Sequence, residues 1–161
     1  MIKIPLASLS DSARENNIQS GIILFSIITF VIYLLTRWIY RGYLTFADLQ
    51  FTIGAIIGVR FALINRNEKQ SPLKYGVIVG ISGGALASVF ISFYEWIIYS
   101  IVREFNIVVL FAYLGYVLIA GLVIGLIIGA LTSVIISSKE LKRLEDDENV
   151  DEDFFKDLIK D

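Results

Sequence analysis

The chain has 161 residues, of which 56% are apolar and 19% are charged, and its mean hydropathy is +0.71. Soluble domains are roughly 45–50% apolar and about 25% charged, so this composition predicts an integral membrane protein. The chain has no cysteine and no histidine, which excludes disulfides, thiolate or imidazole catalysis, and metal centres held by those side chains. We therefore predict no enzymatic activity, no cofactor and no metal site.

The first predicted membrane span covers about residues 18–40 and follows an N-terminal segment of residues 1–17. Residues 16–36 contain no charged side chain. A helix needs roughly 20 mainly apolar residues to cross a bilayer, and this stretch meets that length.

The second span, about residues 43–64, is the weakest of the four because Asp48 and Arg60 lie within it. The third span, about residues 75–101, has a long uncharged run before Glu95. We interpret both as membrane-spanning helices. Together with the first and fourth spans, they give a predicted bundle of four transmembrane helices.

The fourth span, about residues 107–137, lies in an uncharged stretch of 34 residues at 105–138. A straight helix of that length would measure roughly 50 Å. We expect it to tilt and protrude, to begin in the membrane interface, or to break near Gly115. Residues 139–161 form an acidic tail.

The orientation is predicted from lysine and arginine, which are enriched in cytoplasmic segments. One side holds ten of these residues, in the N-terminal segment, the 65–74 connection and the tail. The other side holds Arg37, Arg41 and Arg103. Both termini are therefore predicted to be cytoplasmic, most simply in a prokaryotic plasma membrane.

Small residues recur every four positions in the last three spans. The second span has Gly54, Gly58 and Ala62; the third has Gly76, Gly80, Gly84 and Ser88; the fourth has Gly121, Gly125, Gly129, Ser133 and Ser137. Such rows favour close helix contact in membranes. They predict glycine-zipper packing, either within the monomer or in an oligomer or larger membrane complex.

The third and fourth spans also resemble each other in sequence. Residues 76–92 and 121–137 are identical at nine of 17 positions without a gap. Shared low complexity and duplication of a helix or hairpin both explain this. Because adjacent spans run in opposite directions, the repeated faces are expected to meet antiparallel.

Three ionisable residues fall inside the spans, namely Asp48, Arg60 and Glu95. Charges in a membrane are functional candidates by default. One interpretation is an ion-pair network that fixes helix ends, with Asp48 near a helix start and Arg60 reaching toward the interface. The other is an outward-facing vestibule in which Asp48 and Glu95 attract a cation or relay a proton.

The sequence Gly80-Ile-Ser-Gly-Gly84 matches a GxSxG pattern. A serine nucleophile needs a base, and the chain has no histidine to provide one. The pattern is better explained as a serine within a glycine row. The sequence has no glycine-rich loop ending in Lys-Ser/Thr that would bind phosphate. It also has no basic aromatic patch that would indicate binding of nucleic acid.

The tail carries five basic and ten acidic residues. It begins with a basic collar at 139–143, which suits anionic headgroups. A charge run this dense is typical of solvated, disordered chain. Alternatively, four apolar residues at helical spacing would let a short helix dock on a basic cytosolic partner: Phe154, Phe155, Leu158 and Ile159.

Two functional classes remain. The first is a non-enzymatic scaffold or accessory subunit that self-associates or joins a larger membrane complex in the lipid bilayer. The second is a small oligomeric channel or transporter for a cation or proton, with Asp48, Glu95 and Arg60 along its path. The first is favoured because no charge lies at mid-membrane.

Overall fold

The computed structural model describes residues 6–40, 47–64 and 71–158, with side chains placed over 17–39, 49–64 and 71–139. These residues form four helices and no β-strand: α1 (Leu6–Tyr40), α2 (Ala47–Ile64), α3 (Pro72–Val102) and α4 (Ile107–Leu158). The prediction of an all-helical fold is confirmed.

Among the residues with described side chains, three stretches are long and apolar enough to cross a membrane: Asn17–Ile39, Pro72–Val102 and Ile107–Lys139. The helix α2 is shorter, with an apolar stretch at Leu49–Ile64. Its 18 residues correspond to about 27 Å at 1.5 Å per residue, close to a hydrocarbon core of about 30 Å. Because this apolar stretch is shorter than the other three, the crossing of the membrane by α2 stays a prediction.

The four helices are arranged as a flattened rhombus. Both α1 and α4 contact α2 and α3, and α2 also contacts α3. In the described residues, α1 and α4 do not touch each other. The helices α2 and α3 thus form the short diagonal, and α1 and α4 form the two outer corners.

The ring of Phe25 occupies the place where α1, α2 and α3 meet. Phe25 is fully buried. A β-carbon added to Gly54, Gly58 or Gly83 would come within 2.8 Å of a Phe25 side-chain atom. Three glycines on two helices therefore leave the space that this ring fills. Around it lie two groups of buried residues, one with Phe51, Ala55, Ala87 and Ile91 and one with Val59, Ala62, Leu63, Tyr75 and Val79.

A four-residue connection at 103–106 joins α3 to α4. The amide of Arg103 donates to the carbonyl of Tyr99 at 2.8 Å, which closes the last turn of α3. The side-chain oxygen of Asn106 accepts a hydrogen bond from the Val108 amide at 2.9 Å. This is an N-cap, which satisfies one of the free amides at the start of α4. The indole of Trp96 also donates to the Asn106 carbonyl at 3.0 Å.

The helix α4 is continuous over 52 residues. It does not break near Gly115, and it does not end at residue 139. Of the two alternatives for the tail, the helical one agrees with the structure, because the backbone stays helical as far as Leu158. The apolar span provides a nucleus, so each added residue only has to propagate the helix. Leucine, lysine, arginine and glutamate are good helix formers. Of the predicted docking residues, Phe154, Phe155 and Leu158 fall on this extension, and Ile159 lies outside the described residues.

Candidate functional site

The most extensive helix contact is between α3 and α4, and it is lined by glycine. Three pairs face each other: Gly76 with Gly129, Gly80 with Gly125, and Gly84 with Gly121. A β-carbon at any of the six would overlap the backbone of its partner. The two backbones therefore touch directly, which only residues without a side chain permit.

The contact between α3 and α4 has internal symmetry. The similar segments 76–92 and 121–137 meet antiparallel, and the equivalent residues Gly80 and Gly125 face each other at the centre. The pairs on either side exchange when α3 is superposed on α4. This relation is that of a local two-fold axis running across the helices between Gly80 and Gly125.

Two serines extend the same symmetry beyond the glycines. Ser88 lies against Gly121, and its equivalent Ser133 lies against Gly76. Both serines are fully buried. The Ser88 hydroxyl lies 3.0 Å from the Val117 carbonyl on α4 and 2.7 Å from the Gly84 carbonyl on its own helix. The Ser88 hydroxyl can therefore donate its hydrogen bond either within α3 or to the backbone of α4.

Polar side chains also lie between α1 and its neighbours α2 and α3. The Ser26 hydroxyl is 3.1 Å from the Gly83 carbonyl on α3. The amide nitrogen of Gln50 on α2 donates to the Thr36 hydroxyl on α1 at 2.8 Å. Gln50 is almost fully buried, and its amide oxygen has no hydrogen-bond partner. Hydroxyl and amide groups thus link α1 to both neighbours within an apolar bundle.

Glu95 forms an ion pair with Arg37, which joins α3 to α1. The exposed fractions of the two side chains are 12% for Glu95 and 28% for Arg37. The Arg37 guanidinium also lies 3.4 Å from the Tyr33 hydroxyl and 5.8 Å from the centre of the Tyr94 ring. A carboxylate in such a pair has its charge balanced, so it attracts a free cation less strongly than an isolated one would.

The three predicted intramembrane charges do not form a single site. Asp48 lies in the first turn of α2, at the end of the bundle that holds Glu95, and its side chain lies outside the described side chains. Arg60 is exposed near the opposite end of α2. Arg60 and Glu95 therefore lie at opposite ends of the bundle. Arg41 lies outside the described residues.

Arg60 lines an open groove between α2 and α4. The groove has a volume of about 540 Å³, and Lys139 lies on its α4 side. Its walls are mainly apolar, with Ile56 and Ile64 on α2 and Ile135 on α4. Two cationic side chains thus share one apolar groove.

The role of three residues could not be read from the sequence. Phe25 resembles the other aromatic residues of the apolar spans, yet it is the side chain around which three helices pack. Gly21 lies against the Gly58 carbonyl, and Gly83 lies against Phe25. The four-residue spacing of Gly21, Phe25 and Thr29 was the available signal, but only one of the three is a glycine.

The described residues contain no group of three or more carboxylates suited to hold a metal ion. The GxSxG pattern lies within α3, so its serine is not on the strand-to-helix turn that exposes a hydrolase nucleophile. No protein-family model, curated protein or solved structure is significantly similar to this chain.

Proposed function

We propose that the protein is a non-enzymatic membrane scaffold or accessory subunit that presents an acidic helix to a cytosolic partner. The observation that supports this most directly is the continuity of α4. One helix of 52 residues holds both an apolar stretch, Ile107–Lys139, and the acidic extension. A continuous helix fixes the direction of the extension relative to the membrane, whereas a flexible linker would not.

The proposed topology has four spans and cytoplasmic termini in a prokaryotic plasma membrane. Three long apolar helices agree with it. Two observations favour a spanning α2: its length of about 27 Å, and its contacts with all three other helices. The lysine and arginine distribution favours the orientation.

The proposed assembly uses two kinds of surface. Within the chain, the glycine faces of α3 and α4 act as a glycine zipper. Toward the outside, α4 stands at a corner of the rhombus and exposes large apolar side chains, among them Phe111, Ile119 and Ile127. This outer surface is available to lipid, to a second copy or to another membrane subunit.

Removal of residues 144–161 tests the cytosolic part of this proposal. The full chain and the truncated chain are purified after crosslinking in cells, and the crosslinked residues are mapped by mass spectrometry. We expect one partner in a fixed stoichiometry with the full chain, crosslinked through Lys156, and its loss on truncation. Equal recovery of that partner by both chains would contradict a role for the acidic helix.

The alternative is a small oligomeric channel or transporter for a cation or proton. The observation that favours it is the set of polar groups between α1, α2 and α3, which includes the unpartnered amide oxygen of Gln50 and the ion pair of Arg37 with Glu95. Such groups line ion and proton paths in other membrane proteins.

Two measurements separate the proposals. The mass of the purified complex in detergent gives the stoichiometry, and proton and potassium flux is measured in liposomes containing the protein. A scaffold is expected to give the flux of empty liposomes. Flux above that level that disappears in Glu95→Gln would instead favour transport.

A further inference from the structure

We propose that the groove between α2 and α4 binds an anionic phospholipid, with the headgroup phosphate between Arg60 and Lys139. The acyl chains would lie along the apolar wall formed by Ile56 and Ile135. This proposal requires only that the protein is inserted in a membrane. It does not depend on the scaffold role.

The position of the two cations fits a lipid headgroup. Lys139 is the first charged residue after the uncharged run at 105–138, so it lies where a membrane-spanning helix is expected to leave the hydrocarbon. Arg60 lies one turn before Ile64, the last described residue of α2. Both side chains are long enough to place their charge at the membrane interface while their stems stay in apolar surroundings.

The charge of the groove is not balanced by a described residue. The structure describes two carboxylate side chains, Glu95 and Glu104, and both belong to the opposite end of the bundle. The described ion pair uses Arg37, not Arg60 or Lys139. Two cations in one groove that faces lipid are therefore complementary to a phosphate, and arginine binds phosphate through two parallel hydrogen bonds.

The walls of the groove distinguish a lipid from a free anion. Apart from Thr132 and the two cations, the residues that line it are aliphatic. A free phosphate gains nothing from such walls, whereas acyl chains pack on them. Basic pockets between membrane helices are a recurrent way of binding anionic headgroups. The volume of about 540 Å³ lies within the range of about 300–1,000 Å³ usual for ligand sites.

The test is native mass spectrometry of the full chain in detergent, titrated with phosphatidylglycerol or with phosphatidylcholine of the same acyl chains. We expect phosphatidylglycerol to bind at least tenfold more tightly. In the double variant Arg60→Gln, Lys139→Gln this preference should fall at least tenfold, which is about 1.4 kcal/mol. Inorganic phosphate at millimolar concentration should not displace the lipid.

Two variants serve as controls. Lys74→Gln removes an exposed cation at the same end of the bundle that does not line the groove, and it should keep the preference. Arg60→Lys with Lys139→Arg keeps both charges and should also keep it, which separates loss of charge from loss of folding. Equal binding of the two lipids by the wild type would overturn the proposal. An unchanged preference in the double Gln variant, an equal loss in Lys74→Gln, or displacement by inorganic phosphate would also overturn it.

Discussion

Substitution of Gly125 by alanine is expected to widen the spacing between α3 and α4 and so to destabilise the fold. A β-carbon at this position would overlap the carbonyl oxygen of Gly80 and lie 2.9 Å from its carbonyl carbon. Carbon atoms in favourable contact are about 3.5–4.0 Å apart, so the helices must move apart by roughly 1 Å. Overpacking of this kind costs about 1–3 kcal/mol. The higher helix propensity of alanine recovers up to about 1 kcal/mol of it.

The matched control is Gly115→Ala on the same helix. A β-carbon there meets no atom within 4 Å, so only the gain in helix propensity remains. The free energy of unfolding is measured by SDS titration in mixed micelles, followed by tryptophan fluorescence. We expect Gly125→Ala to be about 1–3 kcal/mol less stable than Gly115→Ala.

The reciprocal variant Gly80→Ala extends the test. Its β-carbon would overlap the carbonyl oxygen of Gly125, so the same separation of the helices accommodates both alanines. The double variant Gly80→Ala, Gly125→Ala should therefore lose less stability than the two single losses added together. The reasoning is refuted if either single variant is as stable as Gly115→Ala, or if the two losses are strictly additive.

Three further predictions concern stability. Phe25→Ala should cost about 3–5 kcal/mol because it opens a cavity where three helices meet; Ile23→Ala, on the exposed face of the same helix, is the control, and an equal loss in both would be inconsistent with this packing. Arg37→Gln and Glu95→Gln should each lower stability by roughly 1–3 kcal/mol, since each leaves a partly buried partner without its counter-charge. The double Gln variant should be more stable than the sum of these losses allows, and a coupling of zero in this cycle would argue against the ion pair. Asn106→Ala should cost about 0.5–2 kcal/mol through loss of the α4 cap, and Asn106→Asp should restore most of it; thermal unfolding of both in detergent provides the check.

The start of α4 could be predicted because the composition changes there. The fourth span is expected to begin at about residue 107, and α4 begins at that residue. At this point the capping residue Asn106 precedes a long apolar run, which signals the start of a helix.

The partners of individual faces could not be predicted in the same way. In a soluble helix the apolar face marks the core, but every face of a membrane span is apolar. The sequence therefore does not distinguish the buried Phe25 from the exposed Phe90 and Phe93. Likewise, the sequence alone places three arginines on the side of the membrane near Glu95, namely Arg37, Arg41 and Arg103. Only the contact of α1 with α3 selects Arg37 as its partner.

The sequence analysis does not predict that α4 continues without a break into the tail, and the reason is different. A high charge density predicts a solvated segment that forms no core of its own. A solvated segment can still be helical if it continues an existing helix, since the cost of nucleation is then already met. The sequence contains favourable pairs one turn apart, such as Glu152 with Lys156.

The local two-fold symmetry of α3 and α4 makes each helix complementary to a copy of itself as well as to its neighbour. Chain connectivity therefore decides which pairing forms. The short connection at 103–106 keeps the two faces at a local concentration in the millimolar range, far above that of a second chain diluted in the bilayer. A longer connection would lower that local concentration and allow helices to be exchanged between molecules. A short turn at 103–106 therefore favours pairing of the two faces within one chain over pairing between chains.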